Sequence, residues 1–443
     1  MNPHPTKATE LPGASSEPVT TPTTDRQAPR SSAFLRISRL LTARRITLHA
    51  ALLATCLWSL YALDLATPGL RDRAGHIKGA DFLHFYTAGY LVRVGRLDAL
   101  YDPATLSAEQ LRLVPQSVHN YFVASYGPQV YLPFSVLARL TYGWAALAWA
   151  LLNCAVYFAC CYAIWRACPK LQPYSRTVLL LAVAFPGFFS LVAFGQTSGL
   201  PLALFTLAFL ALRSRRKFLA GLALGSLVYK PQLALAAVAV FLFAAQWRVL
   251  AGAVAAAVAQ ISFAWAWFGT AVMKLYFNSL LRTSQAMPFI EPRLYQLHSL
   301  RGFWLLLLPW RTVATVLYAL SAITVLGLAV LCWRSRASLA LRYAALLIAT
   351  VLAAPHLMAY DLVILAPAFL LLGSWVLEHA QATAAPAMRV LLYLCYGLPL
   401  LEPVAKFAHL QFSVIGFAVL FVFVYLAITE QARIPAASQA AGV

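Results

Sequence analysis

The chain reads as an all-α, polytopic membrane protein of about twelve spans. Two observations predict this. Hydrophobic residues fill 61% of its 443 positions and charged residues 11%, with a mean hydropathy of +0.73; a soluble domain would be roughly half apolar and about a quarter charged. The 34 Lys and Arg outnumber the 14 Asp and Glu, yet they do not gather in a basic soluble domain, as nucleic-acid binding would require. They punctuate apolar runs from short loops, the positive-inside pattern.

Residues 1–32 are rich in Pro, Thr, Ser and Ala without apolar periodicity and are expected to form a disordered cytoplasmic tail. Arg36, Arg39, Arg44 and Arg45 precede the first apolar run, near 46–66, which reads as an uncleaved start-transfer helix. Further spans are expected near 143–165, 176–194, 198–213, 218–229, 232–246, 249–269, 312–333, 339–354, 361–377, 388–402 and 411–428. The membrane-embedded domain would thus cover 33–430, with 431–443 a second cytoplasmic tail. From a cytoplasmic N-terminus the inner loops become RACPKLQPYSR, RSRRK, QWR, WRSRASLALR and the loop ending at Arg389, nearly all short and basic. Some spans, 218–229 above all, are too short for a bilayer, and Pro186, Pro201, Pro231, Pro355 and Pro367 interrupt the set. Such helices need protein or a wet cavity over their ends, so a cavity open to the outer face is expected.

The outer segment 67–142 is too long for a simple connector. Asp81 to Arg96 can form an amphipathic helix, and Asp102-Pro103 starts another with Asp as cap and Pro at the first helical position. YGPQVYLPFSVLARL, broken by Pro128 and Pro133, is expected to lie at the interface or dip into it. The seven Cys lie in or beside apolar helices without zinc-ligand spacing and read as small packing residues.

Acids are scarce enough to weigh singly. Asp81 stands in the aromatic, Gly-containing run GADFLHFYTAG, with His84 one turn on and Tyr86 beyond it. The same outer face collects Gln196 of FGQTSG, Lys230 and Gln232 of YKPQ, and His356, Tyr360 and Asp361 of APHLMAYD. Polar groups at membrane depth are costly and usually functional. Each also has a structural reading. Asp81 and Asp361 are good helix caps, His84 and His356 can be satisfied buried histidines, Lys230 can snorkel to the interface, and Gln196 can satisfy nearby backbone. Glu291 reads as a solvated loop residue.

From about Asp81 to Asp361 the sequence resembles glycosyltransferase family 87, multispanning enzymes of the GT-C architecture. The resemblance is carried by ADFLHFYTAGYLVRVGRLDALYDP, YGPQVYLPF, GQTSGLPLALFTLAFLALRSRRKFLAGLALGSLVYKPQ and APHLMAYDLVIL. Leu132-Pro133 stands where the family often has Pro-Pro. The resemblance implies a GT-C bundle with a helical outer loop and a polyprenyl-phosphate-mannose-dependent α-mannosyltransferase. Asp81 would be its general base, and His356 would line the same site. The expected partners are a polyprenyl-phosphate sugar donor, a glycan or glycolipid acceptor and the bilayer of the cell (inner) membrane. No nucleic acid, metal or cofactor is expected. Such a transfer needs one carboxylate to take the acceptor proton, and positive charge, for instance from Lys230, for the leaving phosphate. The rival readings are a transporter or flippase of lipid-linked sugars and a non-catalytic scaffold.

Overall fold

The computed structural model describes residues 33–118, 124–291 and 293–433; the tails expected at 1–32 and 434–443 lie outside these. Helix accounts for 82% of the described residues, and no strand forms among them. A short helix, α1 (Ala33–Leu40), precedes α2 (Ala43–Leu65), whose first turn is capped by Thr42. An excursion follows with α3 (Ala80–Arg93), α4 (Pro103–Leu113) and α5 (Leu132–Leu137). The chain then runs through α6 (Tyr142–Arg166), α7 (Ser175–Ala184), α8 (Pro186–Phe194), α9 (Gly199–Arg213), α10 (Lys217–Gly225) and α11 (Pro231–Phe243). It ends with α12 (Trp247–Ile290), α13 (Leu300–Leu307), α14 (Arg311–Arg334), α15 (Leu339–Ala353), α16 (Ala366–Glu378), α17 (Ala385–Gly397), α18 (Glu402–Ala408) and α19 (Phe412–Arg433).

Among the described residues seven helical segments are long and apolar enough to cross a membrane, or eight if the bent pair α7–α8 forms one span. The chain is therefore a multi-pass membrane protein. The count falls below twelve because α9, α10, α11 and α15 are shorter apolar helices. The α7–α8 bend is 43° and falls at Phe185-Pro186, where the proline ring and its missing N–H interrupt the helical ladder.

Burial sorts the helices into shells. Only 11% of the apolar window of α2 and 22% of that of α14 is covered by protein, against 78% for Ala359–Glu378. The peripheral helices therefore offer Leu48, Leu52, Leu320 and Ile323 to lipid. In α15 twelve of fifteen residues are buried, so this short helix is wrapped by protein, the setting in which such a length is tolerated. The second shell depends on small residues. A Cβ on Gly221 or Gly225 of α10 would stand 2.0 or 2.1 Å from the carbonyl oxygens of Val249 or Ala253 on α12, a close crossing of the Gly-xxx-Gly kind. Gly269, at φ 78° and ψ 168°, then breaks α12 where a side chain would be strained.

The excursion forms a second core. Asp102 caps α4 by accepting from the Thr105 amide at 2.9 Å. α3 is mostly buried rather than amphipathic, and a Cβ on Gly89 would lie 2.5 Å from the Phe134 backbone, so α5 lies directly on it. Phe85 stacks on Phe134 at 4.9 Å, and Trp149 of α6 lies 4.7 Å beyond. YGPQVYLPF is thus folded onto α3 instead of lying alone at an interface. Because α10 and α12 meet backbone to backbone, Gly225→Val should destabilise the protein by at least the ~1–3 kcal/mol typical of overpacking. Gly327→Ala on α14, which meets nothing within 4 Å, should leave thermal unfolding in detergent unchanged or slightly raised, since Ala favours a helix interior over Gly.

Candidate active site

Two glycines bring the first groups together. Gly79 takes the left-handed conformation (φ 66°, ψ 47°) directly before α3, and Tyr142 Oη lies 2.8 Å from both the Lys78 and Gly79 carbonyls. Asp81 consequently falls in the first turn of α3, where unpaired amides and the helix dipole favour an anion. Gly195 (φ 68°) ends α8, its amide and that of Gln196 turning back to the Leu191 carbonyl at 3.1 and 3.2 Å. A Cβ there would stand 2.7 Å from Phe82 Cβ, so glycine is what lets the end of α8 rest on α3.

Gln196 meets Asp81 as a result, its Nε2 donating to Oδ2 at 3.2 Å. The Gln196 Oε1 accepts from the Thr197 amide at 2.8 Å, so the amide presents its donor end to the acid. Trp149 Nε1 and Asn153 Nδ2 donate to the Gln196 carbonyl at 3.2 and 3.1 Å and fix the turn. Asp81 keeps partial exposure, and no other side chain hydrogen-bonds it among the described residues.

A buried ion pair lies next to this acid. Lys230, between a 3-10 turn and Pro231 of α11, donates to Asp361 Oδ1 at 2.5 Å and to Ser198 Oγ at 3.0 Å. Ser198 in turn donates to the same Asp361 oxygen at 2.6 Å, and the Met358 amide donates to Oδ2 at 3.2 Å. The Tyr360 ring centre is 5.6 Å from the ammonium. The pair is almost fully enclosed, with side-chain exposures of 2% and 1%. A third group closes the rim. Glu291 is paired to His356 Nδ1 and accepts from Arg301 at 2.5 Å, and Arg301 also donates to the Pro355 carbonyl at 3.1 Å.

The electrostatics separate these acids. Burial pushes the Asp81 carboxyl up to about 6; the Gln196 hydrogen bond and the Lys230 and His356 charges oppose the rise, and Asp361 reinforces it. Burial pushes Glu291 up as well, but its bonds to His356 and Arg301 outweigh that and hold it below the usual carboxylate range.

The structure thus brings Asp81, Gln196, Lys230, His356, Tyr360 and Asp361 to one face. Lys230 is an internal group, not a snorkelling one, and Asp361 both caps its turn and neutralises Lys230. Gln232 sits half-buried on the first turn of α11. His84 and Tyr86 point elsewhere. His84 Nε2 lies 3.1 Å from Tyr131 Oη inside the aromatic layer, where burial pushes the imidazole down to about 4 and keeps it neutral. Tyr86 donates to the Leu140 carbonyl at 2.9 Å and packs edge-on against Tyr142. Glu291 is buried, contrary to its reading as a solvated loop residue. Sequence reasoning did not single out Ser198, Arg301 or Tyr126, which faces Tyr229 and feels the Lys230 and Asp361 charges. Ser198 did carry a signal: it sits two residues from Gln196 inside FGQTSG. Among the described residues no three His, Cys, Asp or Glu side chains converge as a metal site.

The chain is a helical membrane protein with one carboxylate, Asp81, beside paired charges at the ends of broken helices. The chain belongs to glycosyltransferase family 87, whose family model matches residues 122–360, more than half of its length, and it is accordingly a GT-C-type hexosyltransferase. It matches no curated protein and no solved structure.

The enclosed pair yields a direct test. Removing one partner of a buried pair typically costs about 3–5 kcal/mol, because the other charge is stranded, while replacing both can be nearly neutral. Lys230→Met should therefore destabilise the purified protein by that amount, and Lys230→Met with Asp361→Leu should recover most of it in a double-mutant cycle of thermal unfolding.

Proposed function

We propose that this protein is an inverting glycosyltransferase that moves a hexose, mannose foremost, from a polyprenyl-phosphate donor to a glycan or glycolipid on the non-cytoplasmic face of the cell (inner) membrane. The observation that carries the reading is the asymmetry among the site's acids. Asp361 is paired with Lys230 and hydrogen-bonded by Ser198, and Glu291 is held by His356 and Arg301, whereas among the described residues Asp81 has only the Gln196 amide as a side-chain partner. One available carboxylate suits direct displacement, in which a base takes the acceptor proton. A double displacement would need a second carboxylate as nucleophile.

In this reading Asp81, its basicity raised by burial, removes the acceptor hydroxyl proton as that oxygen attacks the anomeric carbon. The bond to the donor phosphate breaks with inversion, and the phosphate leaves ionised. Lys230 is too enclosed to touch it and acts by position and long-range charge. Arg301, with a side-chain exposure of 23%, is a cation open to the phosphate, and His356, at 30%, is a hydrogen-bonding group open beside it. No metal is needed for the leaving group, and activity should survive chelator. The short basic loops between apolar runs support a cytoplasmic N-terminus with Asp81 outside the cytoplasm; cysteine labelling at position 81 only from the cytoplasm would overturn that arrangement. No observation favours the transporter reading.

Asp81→Asn tests the base. General-base catalysis is worth about 10²–10⁴-fold, so transfer from a polyprenyl-phosphate hexose should fall at least about 100-fold, with donor binding retained. The sign of the stability effect is also fixed. A carboxyl whose folded value lies above its unfolded one helps the fold only at acid pH, and that help is lost as pH rises through about 6. At pH 7.5 the Asn variant should therefore be as stable as the parent or more so. The parent's kcat/KM should climb through about pH 6 to a plateau, and near-native turnover in Asp81→Asn would exclude Asp81 as the base. His356→Ala should raise donor KM at least about tenfold, the scale of a lost charge-assisted contact.

A further inference from the structure

A cavity of about 640 Å³ lies away from Asp81, between α2 and α7 on one side and α16 and α17 on the other. Its one Lys or Arg, Arg389, lies at one end, and the elements say which. α2 leaves Thr42 and climbs to the excursion that carries Asp81, while α7 and α8 climb from Thr177 to Gln196. α16 descends from the Asp361 turn to Glu378, and α17 starts at that lower face with Arg389 in its second turn. Thr42, Thr177 and Arg389, all lining the cavity, thus mark the membrane face opposite the active site. Thr47 holds Thr177 at 2.7 Å and Tyr393 holds His49 at 2.7 Å, whereas Arg389 is half-buried with no hydrogen-bond or ion-pair partner among the described residues. Above this rim the walls are mostly apolar, from residues such as Leu53, Leu181, Phe369 and Leu392, and the Tyr396 and Tyr157 hydroxyls there are spent on the Leu181 and Ala182 carbonyls at 2.6 and 2.9 Å. The lining reaches from Ala43 to Leu53 on α2, about 15 Å at ~1.5 Å per residue, half of a ~30 Å hydrocarbon core. α1 packs on α17 at the same face with Arg36 and Arg39 exposed, as a basic interfacial helix does.

We infer that this cavity binds one anionic glycerophospholipid of the leaflet opposite the active site, its phosphate on Arg389 and its acyl chain in the apolar shaft. One cation at the mouth and a shaft one leaflet deep match an amphiphile of that size and sign. A bound lipid would join α7, which continues into the Gln196 turn, to α16, which begins below Asp361, without touching a reacting group. Native mass spectrometry of the full-length protein, stripped in mild detergent and titrated with phosphatidylglycerol or phosphatidylcholine, tests it. One phosphatidylglycerol should bind per chain, about fivefold more tightly than phosphatidylcholine, and Arg389→Gln should abolish that preference. Gly373→Leu places a side chain in the shaft, where a Cβ meets only Leu171 at 3.9 Å. It should prevent binding of both lipids while leaving lipid-free thermal stability equal or higher, so the idea stays testable even if Arg389→Gln folds poorly. Equal binding of the two phospholipids, retention of the preference in Arg389→Gln, or binding unaffected by Gly373→Leu would each overturn the assignment. Preferential displacement by polyprenyl phosphate would overturn it too and give the cavity to the donor.

Discussion

A lysine and an aspartate enclosed together in an apolar bundle constrain everything around them. Neither could be buried alone, because an unpaired charge in that setting costs several kcal/mol. Lys230 and Asp361 lie 131 positions apart, on the turns that open α11 and α16. Ser198 joins from the turn that opens α9. Three broken helices are thereby pinned at one level of the membrane by a single oxygen, Asp361 Oδ1. Their ends carry unpaired backbone groups that lipid could not satisfy, so the pair and the breaks require each other. The pair also fixes a positive and a negative charge near Asp81 whose effects on it oppose each other. Desolvation is then left as the main influence on the outer acid.

Much of this was legible in the sequence, for physical reasons that differ from residue to residue. The helical, multi-pass class follows from the apolar runs. Asp81 was visible because acids are rare here and this one stands among aromatics. Asp102-Pro103 announced α4 through cap chemistry that acts within one turn. Lys230, Asp361, Gln196 and His356 could be gathered at one face because the topology assigned them to loops of the same side. Their pairing was not legible. Nothing local to YKPQ or APHLMAYD says that the ammonium turns inward to the carboxylate instead of outward to a ligand.

The misreadings share a cause. Glu291 looked solvated because it stands between Pro288 and Pro292 in a stretch read as an outer loop, yet its partners, His356 and Arg301, lie elsewhere in the sequence. His84 looked functional because it follows Asp81 by one turn. On a helix that brings it near Asp81 along the axis, but burial of α3 on both sides turned it toward Tyr131. The span count turns on length: α9, α10, α11 and α15 have the composition of spans but are shorter than the seven helices long enough to cross a membrane among the described residues.

The orientation of the Gln196 amide has a stereochemical consequence. Its oxygen is held by the Thr197 amide and its nitrogen by Asp81 Oδ2, so the carboxylate cannot swing freely about its own bond. Oδ1 is the oxygen left open, and it points in a fixed direction from a rigid helix end. An acceptor sugar carries several hydroxyls of nearly equal acidity. With Asp81 as base, the one that reacts is the one whose O–H bond lines up with that lone pair while its oxygen faces the anomeric carbon. Regiochemistry would then be written by a neutral side chain that never touches either sugar.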